Sequence, residues 1–497
     1  MKHSVDRALP LAAVFLAIFG SKSWLIAALG SPLPYSDQWD LEGTLLAHYL
    51  ANTLDWPLML SAINEHRIVF TRMLSIGLFE VAGGWDPIFE MVINSMIQTT
   101  FATLFIAATA AIVPERFRLA YFAFSAFCFA LPLGFENTLL ALNSHFPMLL
   151  LFSLASILLI VPSHALSLGW LAGLAFAIAA DFTLGSGALT SVATGVVTVA
   201  QIARGARSPT PREFAGVALL AATGVTLLAT AAWVSGNEVA SHSVTDFVVA
   251  LAFLLTAPLP IVGIGIHLPI AWFTLSRLHS PRPMTDASWI VIAMAVWVGG
   301  QMVAIAYGRG QEALTSRFLD TIIILLPLDL AALCVAWGDR SFLPLDRRKK
   351  ASLAWLAVLI ITLGGGSYFW ALRSAVDVRS QLDDMAGHVS TYMRTGDASE
   401  LTTLKRWIAP NLPAMIAILS SPDGQAMLPA GIRPAGASAS AMGAKSHLRG
   451  LAAPLVMTLK ALLLAWPLWL LAALAAGFAS LGSQVWFRRR GGRRAAT

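Results

Sequence analysis

Stretches of about twenty mostly apolar residues recur along the whole of this chain, and each is long enough to cross a lipid bilayer as a helix. The first, LPLAAVFLAIFGSKSWLIAALG at residues 9–30, is too long for a signal-peptide core. No small-residue cleavage site follows it, so it reads as a retained first span. Composition agrees: of 497 residues, 57% are hydrophobic and 12% charged, against about a quarter charged in ordinary soluble domains. The expectation is an all-α polytopic membrane protein, because helices satisfy their own backbone groups in lipid. No Walker, GxGxxG or HExxH pattern stands in a usable context, and there is no internal repeat. Cys128 and Cys334 both lie in apolar runs, which argues against a structural disulfide or a thiolate metal site.

Orientation follows lysine and arginine in short loops. RGARSPTPR (204–212), SRLHSPRP (276–283), GDRSFLPLDRRKK (338–350) and the tail FRRRGGRR (487–494) are expected on the cytoplasmic side. The formal charge of +6 is then a matter of membrane orientation, and no nucleic-acid partner is implied. Beyond residue 204, spans are expected near 214–234, 247–278 (broken at Pro258 and Pro260), 287–307, 318–337, 352–371 and 451–482. Upstream, the run at 68–84, IVFTRMLSIGLFEVAGG, is short and carries Arg72 and Glu80, so it is expected to lie half-inserted or interfacial. The total comes to about 12 spans, within 11–13, with both termini cytoplasmic. The body covers 1–371 with an external loop at 31–67. A small external soluble segment, 372–450, reads as a lid or cap, and 451–497 holds the last span and a basic tail.

This threading gathers the polar clusters on the external face. PYSDQWDLEG, 34–43, holds Asp37, Asp40 and Glu42. Its spacing fits a helix cap, and it equally fits a general base or a divalent-cation pair, with Asp37 and Asp40 at i,i+3 on one helix face. NEHR, 64–67, offers Glu65 to orient a ligand, His66 to hydrogen-bond and Arg67 to clamp a phosphate; an interfacial anchor is the plainer role. In GFENTLLALNSHF, 134–146, Glu136, Asn137, Asn143 and His145 suit either a solvated loop helix or a grip on substrate hydroxyls. YGRGQEALTSRF, 307–318, places Arg309 and Arg317 on the side where cations are disfavoured. Such charges want a partner, either Glu312, a headgroup or an anionic lipid phosphate. Asp320 and Asp329 follow in the next span; Asp329, near mid-membrane, is a functional candidate as an intramembrane acid, and two residues past Pro327 it equally suits a broken helix.

One span, an external loop with two acids, a short helix, a His-containing basic turn and a glycine-ended apolar run (SDQWD…NEHRIVFTRMLSIGLFEVAGG) resembles the opening layout of the GT-C superfamily of membrane glycosyltransferases. The chain is similar in this to bacterial polyprenyl-phosphate-sugar-dependent enzymes, a group that includes the protein mannosyltransferases and the aminoarabinose lipid A transferases. The likeness covers about residues 1–115, together with the many-span body and late soluble segment. It implies a polyprenyl-phosphate-linked sugar donor, a lipid or glycan acceptor of the cell envelope, and an active site on the periplasmic face of the inner membrane. It implies that Asp37 or Asp40 deprotonates the acceptor and that transfer inverts the anomeric carbon. No cofactor is required, and a divalent metal between the two acids is compatible with such enzymes. Charge and topology make Arg67, Arg309 and Arg317 the candidates for the leaving phosphate. The rival expectations are a lipid-linked-sugar flippase, which would spread polar residues through its spans, and a non-catalytic envelope-assembly protein.

Overall fold

The computed structural model describes residues 2–64, 66–234, 240–257, 263–280, 282–337, 345–429, 431–434 and 452–494. Among these, the chain is all helix apart from turns and a single isolated bridge between Ile63 and His66. Among the described residues, nine helices are long and apolar enough to cross a membrane, or ten when a bent pair counts as one. The protein is thus an all-α, multi-pass membrane protein.

Fewer helices qualify than the twelve expected, and length is the reason. Leu168–Asp181 and Val244–Thr256 are apolar but have 14 and 13 residues. At 1.5 Å per residue each covers about 20 Å, short of a hydrocarbon core of about 30 Å. The expected span at 247–278 is described as two helices, Val244–Thr256 and Leu268–Leu278; Pro258 and Pro260 lie outside the described residues. Asp329 caps the second of these, with Oδ1 accepting from the Ile270 N–H at 3.0 Å and Oδ2 meeting His267 Nδ1 at 2.7 Å. It satisfies a broken helix, though a neighbouring one. The final crossing is broken too: Pro454–Leu463 and Trp466–Gly482 meet at 54°, with Pro467 in the first turn of the second piece, where a missing N–H costs least. The run at 68–84 folds as Val69–Ala82, too short to qualify as a span, and ends at Gly83 in the left-handed region.

Small polar residues knit the bundle. Ser153 Oγ lies 2.8 Å from Thr190 Oγ1, which also accepts from Trp297 Nε1 at 3.1 Å, joining three helices. Ser144 donates to Thr71 at 2.7 Å and Asn94 to the Ala141 carbonyl at 2.6 Å. Such bonds count within lipid because no water competes for them. Where the chain turns at 203–211, Arg207 is buried against Glu213 at 2.8 Å and donates to the Val161 and Ser163 carbonyls. One of the expected orienting charges is therefore spent on structure. Cys128 and Cys334 are buried and free.

The feature that positions the site is a second hydrophobic core at the end of the bundle where the acid loop lies. Lys349–Thr395 is one continuous helix, and its far end packs with Leu412–Ser420 and Pro422–Met427 onto the acid loop. Leu33, Tyr35, Trp39 and Leu46 enter that core beside Met385, Met415 and Met427. The Ser36 N–H donates to the Ile408 carbonyl at 2.6 Å, and Trp85 N–H to Met427 at 3.0 Å. The approach at Gly43 is close: a Cβ on it would stand 2.4 Å from Ile418 Cδ1, which would have to shift.

Candidate functional site

The acid loop is built around an unusual turn. Ser36 has φ +54°, and Gln38–Gly43 then winds as a π-helix, a rare form often found at functional positions. Asp37 holds the N-cap position, yet its side chain makes no capping hydrogen bond. Its carboxylate is solvent-accessible and uncommitted, so capping does not account for it. Asp40 is half-buried, while Glu42 turns inward, is buried and accepts from Gln38 at 2.8 Å. Desolvation by the surrounding protein raises the Asp37 carboxyl from its ordinary value; the Arg317 guanidinium opposes this and the Asp40 charge adds to it.

Arg317 stands on the helix Ser316–Ile322, and the 134–143 segment fixes that helix. Glu136 accepts the Arg317 N–H at 3.0 Å, and the Glu136 N–H reaches Ser316 Oγ at 3.2 Å. Asn137 Nδ2 donates to the Arg317 carbonyl at 2.7 Å and to Asp320 Oδ2 at 2.8 Å. Gly134 lets Asp320 come this close, since a Cβ would sit 2.2 Å from the carboxylate. Residues 132–146 are buried almost throughout, so this stretch is no solvated loop helix. Glu136 and Asn137, expected to grip substrate hydroxyls, commit these atoms to holding Arg317 in place. The guanidinium lies over the Phe318 ring, 5.4 Å from its centroid, and its buried Nε has no hydrogen-bond partner. Arg317 makes no ion pair with Glu312 among the described residues.

His66 comes from a tight turn. Ile63 and His66 exchange both backbone hydrogen bonds, at 2.8 and 2.9 Å, with Asn64 at φ +50° between them. The His66 Nε2 meets Arg309 Nη2 at 3.0 Å, and its Nδ1 faces the Gly185 N–H at 3.2 Å. A neutral imidazole has one lone pair, so it accepts from one of these donors at a time. Burial, then the charges of Arg309 and Arg317, lower the ring's pKa to about 3, so it is neutral at physiological pH. His145 lies close to His66 and within reach of the same two arginines, with Nδ1 on the Leu142 carbonyl at 3.1 Å.

His66 and Arg309 line a cavity of about 420 Å³ whose other walls are largely apolar, among them Phe146, Leu149, Leu189 and Phe318. Five of the expected residues therefore share one neighbourhood: Asp37, His66, His145, Arg309 and Arg317. The charge of Arg67 acts on Asp181. Glu65 lies outside the described residues. No group of three or more His, Cys, Asp or Glu side chains forms a metal-ligand set among the described residues, so Asp37 and Asp40 stand as a pair. Sequence reasoning missed Gln301, which lines the same cavity and donates to the Ser186 carbonyl at 3.0 Å. An amide within an apolar helix was the available signal. No family model, curated protein or solved structure matches this chain.

Proposed function

We propose that this chain is an inverting glycosyltransferase of the GT-C type, moving a sugar from a polyprenyl-phosphate donor to a cell-envelope acceptor at the periplasmic face of the inner membrane. The observation that carries the reading is one juxtaposition. An accessible carboxylate, Asp37, faces an arginine with an unpartnered Nε, Arg317, beside an apolar cavity lined by Arg309 and the neutral His66. An apolar cavity with cations suits a lipid phosphate. The nearby carboxylate, its proton affinity raised, suits a base.

In this reading Asp37 takes the proton of an acceptor hydroxyl. The oxygen attacks the anomeric carbon from the face opposite the phosphate. The C–O bond to the lipid phosphate breaks, and its electron pair leaves with the phosphate oxygen. Arg309 and Arg317 stabilise the charge developing there, which is where positive groups lower a barrier most. In the tautomer with its lone pair on Nε2, His66 accepts from Arg309 without adding a competing charge. Asp40 tunes Asp37 through its own charge.

The test is transfer by Asp37→Asn and Asp40→Asn in the full chain with a lipid-phosphate sugar donor. Removing a general base typically costs about 10²–10⁴-fold in rate. Asp37→Asn is expected to fall in that range and Asp40→Asn to keep most activity. Full activity in both would remove the proposed base. Movement of the labelled donor across the membrane without glycosidic bond formation would favour a flippase.

A further inference from the structure

Lys22 is a buried charge that the proposed reaction does not use. It stands in the first helix, Lys2–Leu29, and is 5% exposed. At 1.5 Å per residue it lies about 10 Å below the helix end nearest the acid loop. Its hydrogen-bond partner among the described residues is the Thr138 hydroxyl, at a long 3.5 Å. Asp320 acts on it through space without an ion-pair contact. Asp320 is meanwhile held by Asn137. A buried ammonium with so little compensation is costly in an apolar setting.

Beside it is a cavity of about 410 Å³, separate from the one lined by Arg309. Lys22 and Thr138 line it together with Ser21, Trp24, Tyr368 and Trp466. Ser21 is already engaged, donating to the Ala130 carbonyl at 2.7 Å. The space is of the size that small-molecule sites have, about 300–1,000 Å³. Its walls are mainly hydrocarbon and indole, and the charge available to a ligand is Lys22.

We propose that this cavity is a binding site for an acidic phospholipid, its headgroup oxyanion on the Lys22 ammonium and an acyl chain along the walls formed by Trp24 and Trp466. The occupant is anionic because the charge that lines the cavity is a cation, and Asp320 makes no ion-pair contact with it among the described residues. It is amphiphilic because the rest of the site is apolar, so free phosphate would gain the charge contact and lose the walls. Lysine's flexible stem lets the ammonium rise toward a headgroup from its depth in the helix. The bound lipid sits one residue away from Asn137, which carries the helix of Arg317.

Native mass spectrometry of the purified full chain, titrated with phosphatidylglycerol and separately with phosphatidylcholine, tests this. The wild type is expected to hold one phosphatidylglycerol at least tenfold more tightly than phosphatidylcholine. Lys22→Met is expected to lose that preference and Lys22→Arg to keep it. Because Lys22→Met also strips Asp320 of its neighbouring charge, Lys22→Met with Asp320→Asn is the second arm. It is expected to be as thermally stable as the wild type and still lack the preference. Undiminished phosphatidylglycerol binding by Lys22→Met, or its return in the double variant, would overturn the assignment and leave Lys22 as a partner of Asp320 alone.

Discussion

Arg309 and His66 stand 243 positions apart in the chain, and their side chains meet at 3.0 Å. The contact joins a tight turn near the start of the chain to the end of a long helix beyond its middle. It sets a guanidinium against a ring that stays neutral, and both line the adjoining cavity.

The Asp37 carboxyl is raised by desolvation, opposed by Arg317 and supported by Asp40. If Asp37 is the base, transfer fails as pH falls through its pKa. Arg317→Gln removes the opposing charge, so the acidic limb of the pH–rate profile is expected to move to higher pH. Asp40→Asn removes the like charge, and the limb is expected to move lower. Profiles of kcat/KM for the three proteins check both directions.

His66 in the folded protein binds a proton only near pH 3, against about 6.5 when unfolded. Above pH 6.5 both states are neutral and stability is full. As pH falls from 6.5 toward 3 the unfolded chain gains a proton that the fold does not, so stability is lost across that window. His66→Gln is expected to flatten this part of the dependence of Tm on pH. An unchanged slope in the variant would place its source elsewhere.

A side chain at position 43 would meet those of Ile418 and Trp85. Gly43→Val is expected to cost about 1–3 kcal/mol by overpacking, confined to the second core. Limited proteolysis within 397–434 should quicken while the membrane helices stay protected. Ile418→Ala in the same chain is expected to recover part of the loss, because it removes the atom that the new side chain would strike.

Arg207 and Glu213 form a buried pair that shares no contact with the acid loop among the hydrogen bonds and ion pairs of the described residues. Arg207→Ala leaves the Glu213 carboxylate without its cation, held by the His164 ring at 3.1 Å and the Ala165 N–H, and is expected to destabilise by about 3–5 kcal/mol. Thermal unfolding should show the loss. The pH–rate profile of the surviving protein should be that of the wild type.

What the sequence made legible follows the range of the forces involved. Membrane helices announce themselves because every residue of a span answers to the same solvent. Asp37, Arg309 and Arg317 stood out for the opposite reason, as charges that an oily chain keeps only where they are used or wetted. The pairing of Arg309 with His66 was not legible, because nothing local links residues so far apart. The same holds for the Ser36 N–H on Ile408, and with it the whole second core. The i,i+3 spacing of Asp37 and Asp40 suggested an ordinary helix face. The π turn arose instead where the chain lodges Trp39 and Gly43 against Trp85 and Ile418. Lys22 passed unnoticed because one cation in an apolar run of that length barely lowers its mean hydropathy.

The helix Lys349–Thr395 runs 47 residues without a break and passes through a π turn at Leu363–Ser367. It is a beam, about 70 Å long at 1.5 Å per residue, with one end at the basic DRRKK stretch and the other inside the core that seats the acid loop. A tilt of about 5° about its π turn would swing the far end, about 40 Å away, by roughly 3–4 Å. Helices tilt to match the thickness of the bilayer around them. A change in bilayer thickness that tilted this helix would be carried to the core in which Tyr35 and Trp39, on either side of Asp37, are lodged.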